Sequence, residues 1–344
     1  MIDLLVAGGG PAGLATAIHG ALAGLEVVVL EPRPTPIDKA CGEGLMPGAV
    51  RRFEELGVAV TGRPFRGIGY VDEVTGLRAE ALFRSGPGRG CRRTDLQAAL
   101  ADRAAGLGVR VLARRVGEVR QDGRRVCAAG LTARYLVAAD GLHSPVRRGL
   151  GLGVPAAPGR AARYGLRRHY AVEPWSNLVE VHWARGAEAY VTPLGADRIG
   201  VAVLTSEQAP FDVQLARFPL LTARLPPPPG RGPGVRGAGP LRQRARTRVA
   251  GRVLFVGDAA GYVDALTGEG LTLAVSAAGA LVRCVREGRP QEYERAWRDL
   301  SRGYRTLTSS LLWARRRAPL AGRIVPLAAR MPRVFAGAVN LLAR

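Results

Sequence analysis

The sequence predicts an α/β protein in which a parallel sheet flanked by helices is interrupted by an antiparallel sheet and followed by C-terminal helices. Three observations predict it. The chain opens on a short apolar run that ends in Gly8-Gly9-Gly10-Pro11-Ala12-Gly13 and gives way to a small-residue stretch of helical length, Gly13 to Ala23. Two later apolar runs also end in a glycine and an acid: Arg134 to Ala139 before Asp140-Gly141, and Gly251 to Val256 before Gly257-Asp258. Between them, Arg163 to about Leu241 alternates apolar and polar residues, the period of half-buried strands.

The first turn carries the most chemistry. Gly8 makes the tight turn, Gly10 lets the backbone approach a pyrophosphate, and Gly13 lets the helix sit close to its strand. A helix N-terminus there offers unpaired N–H groups and a positive dipole end to phosphates, with Pro11 and Ala12 in its opening turn. A second strand, Glu26 to Leu30, ends at Glu31, the distance at which an acid reaches a ribose hydroxyl, and Arg33 follows in the same loop. Strand, glycine turn, helix and acid in this order point to a bound dinucleotide.

The next elements follow from local signals. Ile37 to Pro47 is a loop in which Gly42 and Gly44 flank Glu43 beside Cys41, a backbone suited to lie close to something flat. Gly48 to Leu56 is a helix closed by Gly57. Ile68 to Val71 and Leu77 to Leu82 read as strands joined at Thr75-Gly76. Arg93 opens a helix that runs to Ala105, with Thr94 as its N-cap. Val109–Leu112, Val116–Arg120 and Val126–Ala129 read as short strands of a hairpin-like excursion. Asp140 stands at the carboxyl end of a buried strand, where ligands bind in open α/β sheets, although Asp-Gly is equally a common turn pair.

Leu178–Trp183, Ala187–Thr192 and Arg198–Leu204 form an antiparallel meander, and the proline cluster from Pro226 marks its return path. After Gly257-Asp258, the stretch Leu266-Thr267-Gly268-Glu269-Gly270 precedes a long helix, Leu271 to Val285. Its N-terminus again aims backbone donors at a ligand, and Gly268 and Gly270 let that backbone lie against a planar ring. Gln291 to Arg344 is helical and arginine-rich, with amphipathic segments that pack on the domain, line the way in for a greasy substrate, or lie on a membrane surface.

Composition narrows the class. A chain of 344 residues holds two domains around an extensive core. No run of eighteen apolar residues argues for a spanning helix, and the chain starts in its first strand with no room for a signal peptide, so a cytoplasmic enzyme is expected. Cys41, Cys91, Cys127 and Cys284 are scattered, which indicates neither a zinc site nor a disulfide framework, and no metal is expected. The net charge of +22 is nearly all arginine, dispersed along the chain, with Lys39 the only lysine. That spread argues against nucleic acid and for attraction to anionic cofactors or an anionic membrane. Among the histidines, His19 reads as packing or solvent-facing, His143 as within reach of a cofactor after the Asp-Gly turn, and His182 as a residue whose face alternation leaves open.

The three motifs in this order resemble the flavoprotein superfamily of aromatic hydroxylases and geranylgeranyl reductases, with its para-hydroxybenzoate hydroxylase-like fold. The resemblance implies a Rossmann-like FAD-binding domain with an inserted antiparallel β-sheet substrate domain and C-terminal helices. It implies that the first motif holds the ADP half of FAD, Asp258 the ribityl chain, and Asp140 with Gly141 a brace linked to nicotinamide binding. Arg93 matches the family arginine near the FAD phosphates and ribityl chain. The Cys41-Gly42-Glu43 loop runs along the isoalloxazine, and Gly268-Glu269-Gly270 lies near its pyrimidine end. Ala265 replaces a proline usual in the hydroxylase branch, and Glu188 to Pro193 keeps only part of the reductase branch's aromatic motif. Lys39 lies in the wrong element to serve as a halogenase lysine.

The expected FAD domain comprises residues 1–62, 86–162 and 242–290, the substrate domain 63–85 and 163–241, and the helical region 291–344. The first functional expectation is an NAD(P)H-driven monooxygenase acting on a small hydrophobic aromatic, polyketide-like or isoprenoid-like substrate held against Tyr190, Trp183 and the Cys41 loop. The alternative is a reductase of isolated double bonds, with Cys41 and Glu43 as the candidate proton donors, Cys41 reading equally as a small buried hydrophobe. A flavin-binding protein without turnover is the third.

Overall fold

The computed structural model describes residues 1–155, 162–227 and 234–343. Five parallel strands form the heart of the first sheet, in the order Val253–Phe255, Leu131–Ala138, Ile2–Ala7, Val27–Leu30 and Arg110–Leu112, with Val249–Ala250 antiparallel at one edge. Helices cover its faces, so Leu4, Leu5, Val6, Val29, Leu136 and Leu254 are buried on both sides, as near-continuous apolar strands require. Register positions the site. Ala7 pairs with both Leu30 and Ala138, and Ala138 pairs with Phe255, so these four strands finish at one level. The turns at Gly8, Glu31, Asp140 and Gly257 therefore leave the sheet side by side.

The Pro11–Leu22 helix packs on the Gly270–Arg286 helix, and close approach is built from small residues. His19 lies against Gly279, so its reading as a packing residue matches its place. A Cβ on Gly13 would stand 1.9 Å from the Gly8 carbonyl oxygen, which only glycine permits.

The second sheet has the order Arg236–Ala238, Tyr164–Ala171, Arg198–Thr205, Ala187–Pro193, Val179–Ala184, Gly67–Asp72 and Arg78–Leu82. It is antiparallel except where Gly67–Asp72 runs parallel to Val179–Ala184. This departs from the purely antiparallel expectation. The chain passes through part of the first domain between the two strands, so no hairpin dictates their direction.

Two local expectations are corrected, and the face of His182, which alternation left open, is settled. Arg110–Leu112 belongs to the parallel sheet beside Val27–Leu30, and only Val119–Gln121 and Val126–Ala128 make the hairpin excursion. Thr94 lies inside the Arg93–Gly106 helix, which Arg92 flanks without a side-chain cap, and its hydroxyl bonds Asp95 Oδ1 at 3.0 Å. His182 is buried away from the cavity described below, its Nδ1 2.6 Å from Glu73 Oε1. The proline-rich return path lies partly outside the described residues, at 228–233.

The helices Tyr293–Arg315, Ile324–Arg330 and Pro332–Leu342 complete the chain. Leu312 and Val325 share an apolar cluster with Val181, Trp183 and Leu266, while Phe335 and Val339 pack on Ala79 and Ala81 of the second sheet. Among the described residues no helix is long and apolar enough to cross a membrane.

Candidate active site: a cofactor groove closed by an apolar wall

A cavity of about 740 Å³ runs between the two sheets. Gly10, Pro11, Ala12, Cys41, Gly42, Glu43, Arg93, Asp140, Gly141, Tyr190, Gly257, Asp258, Gly268 and Gly270 all line it, although they come from six separate stretches of chain. His143, the expected cofactor neighbour, is in the lining too. Gly8, Gly13, Glu31, Arg33 and Glu269, also singled out from sequence, stand outside the lining.

The three glycine turns interlock. Gly8, at φ +112°, leaves so little room that a Cβ would lie 2.5 Å from the Ala139 carbonyl oxygen. Gly257, at φ +60°, faces Ala12 just as closely. Gly10 differs: the nearest atom to a Cβ there is Arg93 Nη2 at 3.8 Å. Its bareness therefore serves no packing purpose, and leaves open the side a pyrophosphate would approach.

Glu31 is buried and accepts four hydrogen bonds, from the Gly9 N–H at 2.8 Å and from Arg33 N–H, Nε and Nη2. Burial pushes its carboxyl up, but the Arg33 guanidinium and the backbone donors outweigh that and hold it below the ordinary carboxylate range. All its acceptor positions are filled by the protein. A ribose hydroxyl reaches Glu31 only by displacing the exposed Arg33.

Further along the groove, acceptors are unfilled. Asp140 Oδ2 accepts the Val146 N–H at 3.0 Å, whereas the buried Oδ1 has no partner among the described residues. Burial raises both Asp140 and Asp258 above the usual range, against the Ser144 hydroxyl, the Val146 N–H and Arg147 on Asp140 and against Arg93, Lys39 and Arg147 on Asp258. Carboxylates short of donors are suited to the hydroxyls of a sugar alcohol. Lys39 lines the same stretch, and burial together with Arg33 and Arg93 lowers its pKa. Two cations facing Asp258 beside the open face of Gly10 give a pyrophosphate its counter-charge. These features fit FAD: the Gly10 turn, Arg93 and Lys39 for the phosphates, and Asp258 and Asp140 for the ribityl hydroxyls.

Sequence reasoning missed three residues that fix these turns. Arg147, buried, donates to the backbone carbonyls of Leu142, Asp258 and Ala259, tying the second and third turns together. Gln97 donates to the Gly9 carbonyl at 3.1 Å and accepts from the Ile37 N–H at 3.1 Å. His169 sets its Nε2 2.6 Å from Glu43 Oε2. Gln97 sits just over one turn into its helix and the arginine in a chain full of arginines, so nothing local marks either.

The loop expected beside the flavin ring is held from below. Glu43, at φ +59° and buried, accepts the Arg93 N–H at 2.9 Å through Oε1 while Oε2 meets His169. Arg167 joins the loop through Asp38 and the Lys39 carbonyl. Glu43, expected as a proton donor, thus has both oxygens engaged in structure. Cys41 Sγ accepts the Glu43 N–H at 3.4 Å, and burial pushes its thiol pKa up. Tyr190, expected against the substrate as part of the catalytic site, donates its hydroxyl to the Leu266 carbonyl at 2.8 Å and ties the second sheet to the Gly268 turn. Beneath that turn, buried Arg163 bridges Glu188 at 2.8 Å and Asp264 at 2.9 Å. Glu269 flanks the Gly270–Arg286 helix, and burial without a partner for Oε2 lifts its carboxyl to about 8. Among the described residues no group of three or more His, Cys, Asp or Glu is arranged to hold a metal ion.

Comparison with known proteins bears on the family and the fold. The chain is 30% identical over 312 residues to the menaquinone reductase of Mycobacterium tuberculosis, covering 78% of this chain and 72% of that protein. It is 28% identical over 333 residues to digeranylgeranylglycerophospholipid reductase 1 of Methanothermobacter thermautotrophicus, covering 87% and 82%. Its fold matches the flavin-dependent brominase Bmp2 with a TM-score of 0.80 at 19% identity, covering 99% of this chain and 93% of that one. The model of the FAD binding domain family matches residues 1–180, and the chain belongs to that family, as an FAD-dependent oxidoreductase of the aromatic hydroxylase and geranylgeranyl reductase superfamily.

Proposed function

We propose that this protein reduces a carbon–carbon double bond in an apolar, polyprenyl-like chain. The observation that carries the reading is the wall opposite the cofactor turns: Ile68, Tyr70, Val181, Leu204, Val339 and Leu342 make it apolar. Such a wall suits a hydrocarbon chain, with burial as the main source of affinity. The two relatives named above are reductases whose named substrates carry polyprenyl chains, and each match spans most of both proteins. Ala265, where hydroxylases usually have proline, also lines the cavity. This favours the alternative over the monooxygenase expected first.

When bound and reduced, FAD supplies a hydride to the double bond. The chain's own part is to exclude water and hold a proton. Cys41 keeps its proton because burial raises its pKa, so Sγ–H is the donor to the second alkene carbon, and water returns the proton to the thiolate. Glu43 fixes the Cys41 loop, and Tyr190 fixes the Gly268 turn across the cavity. NAD(P)H is the reductant we propose for the flavin.

The test is product mass. Protein reduced anaerobically with dithionite and given a geranylgeranyl lipid should add two hydrogens, and Cys41→Ala should lower that rate by about 10²-fold with flavin content unchanged. Product that gains an oxygen atom from dioxygen, and none under anaerobic conditions, would return the protein to the monooxygenases.

A further inference from the structure

Residues 300–344 contain nine arginines and no aspartate or glutamate. Large apolar side chains are exposed in the same segment. On the Pro332–Leu342 helix, Val334 is 63% exposed and Leu341 52%, and with Gly337 they recur at i, i+3 and i+7 along one outward stripe. Phe335, Val339 and Leu342 occupy the inward stripe, the first two against Ala79 and Ala81 and the third in the cavity lining. Leu327 on the preceding helix and Met331 at the junction of the two continue the exposed apolar surface. Trp313 is exposed at the end of the long helix, with the Arg317 guanidinium 3.7 Å over its ring.

Packing on the domain explains the inward stripe and leaves the outward one unexplained. Arg323, Arg330 and Arg333 are exposed among these apolar positions. Apolar side chains interspersed with arginine, a tryptophan under a guanidinium and no acid over 45 residues form the surface an amphipathic helix presents to the headgroup boundary of an anionic bilayer.

We propose that the C-terminal helices dock this protein on an anionic lipid bilayer through Trp313, Val334 and Leu341, with the flanking arginines on lipid phosphates. The occupant is argued from charge: the segment has cations only, so a basic or neutral partner surface gains nothing from it. One helix shows Val334 and Leu341 to the outside and Val339 and Leu342 to the cavity, so docking brings the cavity wall to the lipid surface. The inference rests on this surface and not on the reaction proposed above.

The experiment is co-sedimentation of the full chain with vesicles of phosphatidylcholine alone and of equal parts phosphatidylcholine and phosphatidylglycerol. Binding to the anionic vesicles, weak binding to the neutral ones and release by high salt are expected. Val334→Asp with Leu341→Asp should abolish sedimentation while melting temperature and bound flavin stay as in wild type, because both side chains are exposed. Arg330→Gln with Arg333→Gln should weaken partitioning about fivefold per arginine. A blue shift of tryptophan emission on anionic vesicles should vanish in Trp313→Phe. No sedimentation with anionic vesicles, or sedimentation unchanged in the aspartate variant, overturns the proposal. So does a concentration-dependent dimer that the aspartate variant dissolves in the absence of lipid binding, which would assign the surface to a second copy of the chain.

Discussion

A Cβ placed on Gly257 would stand 2.6 Å from the Cβ of Ala12, so the third glycine turn and the N-terminus of the first helix touch with no side chain to spare. Positions 245 residues apart thus set one wall of the groove together. Gly257→Ala also forces a β-carbon into a left-handed conformation, φ +60°. The expected cost is about 1–3 kcal/mol with FAD binding weakened at least about tenfold. Adding Ala12→Gly should recover part of it. Denaturant unfolding of the four proteins in the cycle measures that coupling, and strict additivity would remove the contact from the explanation.

Gly8 and Gly10 should separate packing from ligand approach. Gly8→Ala must fit a Cβ 2.5 Å from the Ala139 oxygen at φ +112°, and loses stability and FAD together. Gly10→Ala meets nothing nearer than 3.8 Å and should melt like wild-type apoprotein. Its Cβ occupies the pyrophosphate's approach, so FAD affinity should fall by about tenfold or more in a calorimetric titration. Wild-type affinity in Gly10→Ala would contradict the assignment of that face.

Glu43 joins His169 and the Arg93 N–H, which places the Cys41 loop on the second sheet. Glu43→Ala leaves both partners unsatisfied and should cost about 1–3 kcal/mol in urea unfolding. Glu43→Gln, which still accepts from the Arg93 N–H, should retain more than half of that stability. Equal loss in both variants would show that the charge, not the hydrogen bond, matters there.

Glu269 makes stability depend on pH with a definite sign. Its folded carboxyl titrates at about 8 because burial disfavours the charge, against 4.5 for the ordinary group. Below that ordinary value the group is protonated in both states and its contribution to stability is intact. Between 4.5 and about 8 the unfolded chain ionises while the folded chain keeps its proton, so stability is lost as pH rises. Glu269→Gln should match wild type at the acid end and exceed it increasingly up to about pH 8, in thermal melts of apoprotein. A constant difference across that range would refute the buried, unpartnered carboxyl.

Much of the groove is legible in the sequence because its chemistry is local. Positive φ at Gly8 and Gly257, and the close helix contact of Gly13, are demands that glycine alone meets, and apolar runs before them mark the strand ends. What could not be read is tertiary. Glu43 looks like a free acid until His169, 126 residues later, lies beneath it. Glu31 looks available to ribose until Arg33 folds back on it. Arg110–Leu112 looks like part of a hairpin because three residues carry too little pattern to reveal a parallel partner. The parallel pairing of Gly67–Asp72 has the same origin, since strand direction across a domain crossover leaves no mark on either strand.

The most direct measurement is the flavin released when purified protein is denatured, quantified against chain concentration. Three turns gripping one cofactor predict one FAD per chain in wild type and little or none in Asp258→Ala purified alongside. Protein that is folded and colourless even after incubation with excess FAD, or that releases the same FAD with and without Asp258, would contradict the claim that these turns form a single binding groove.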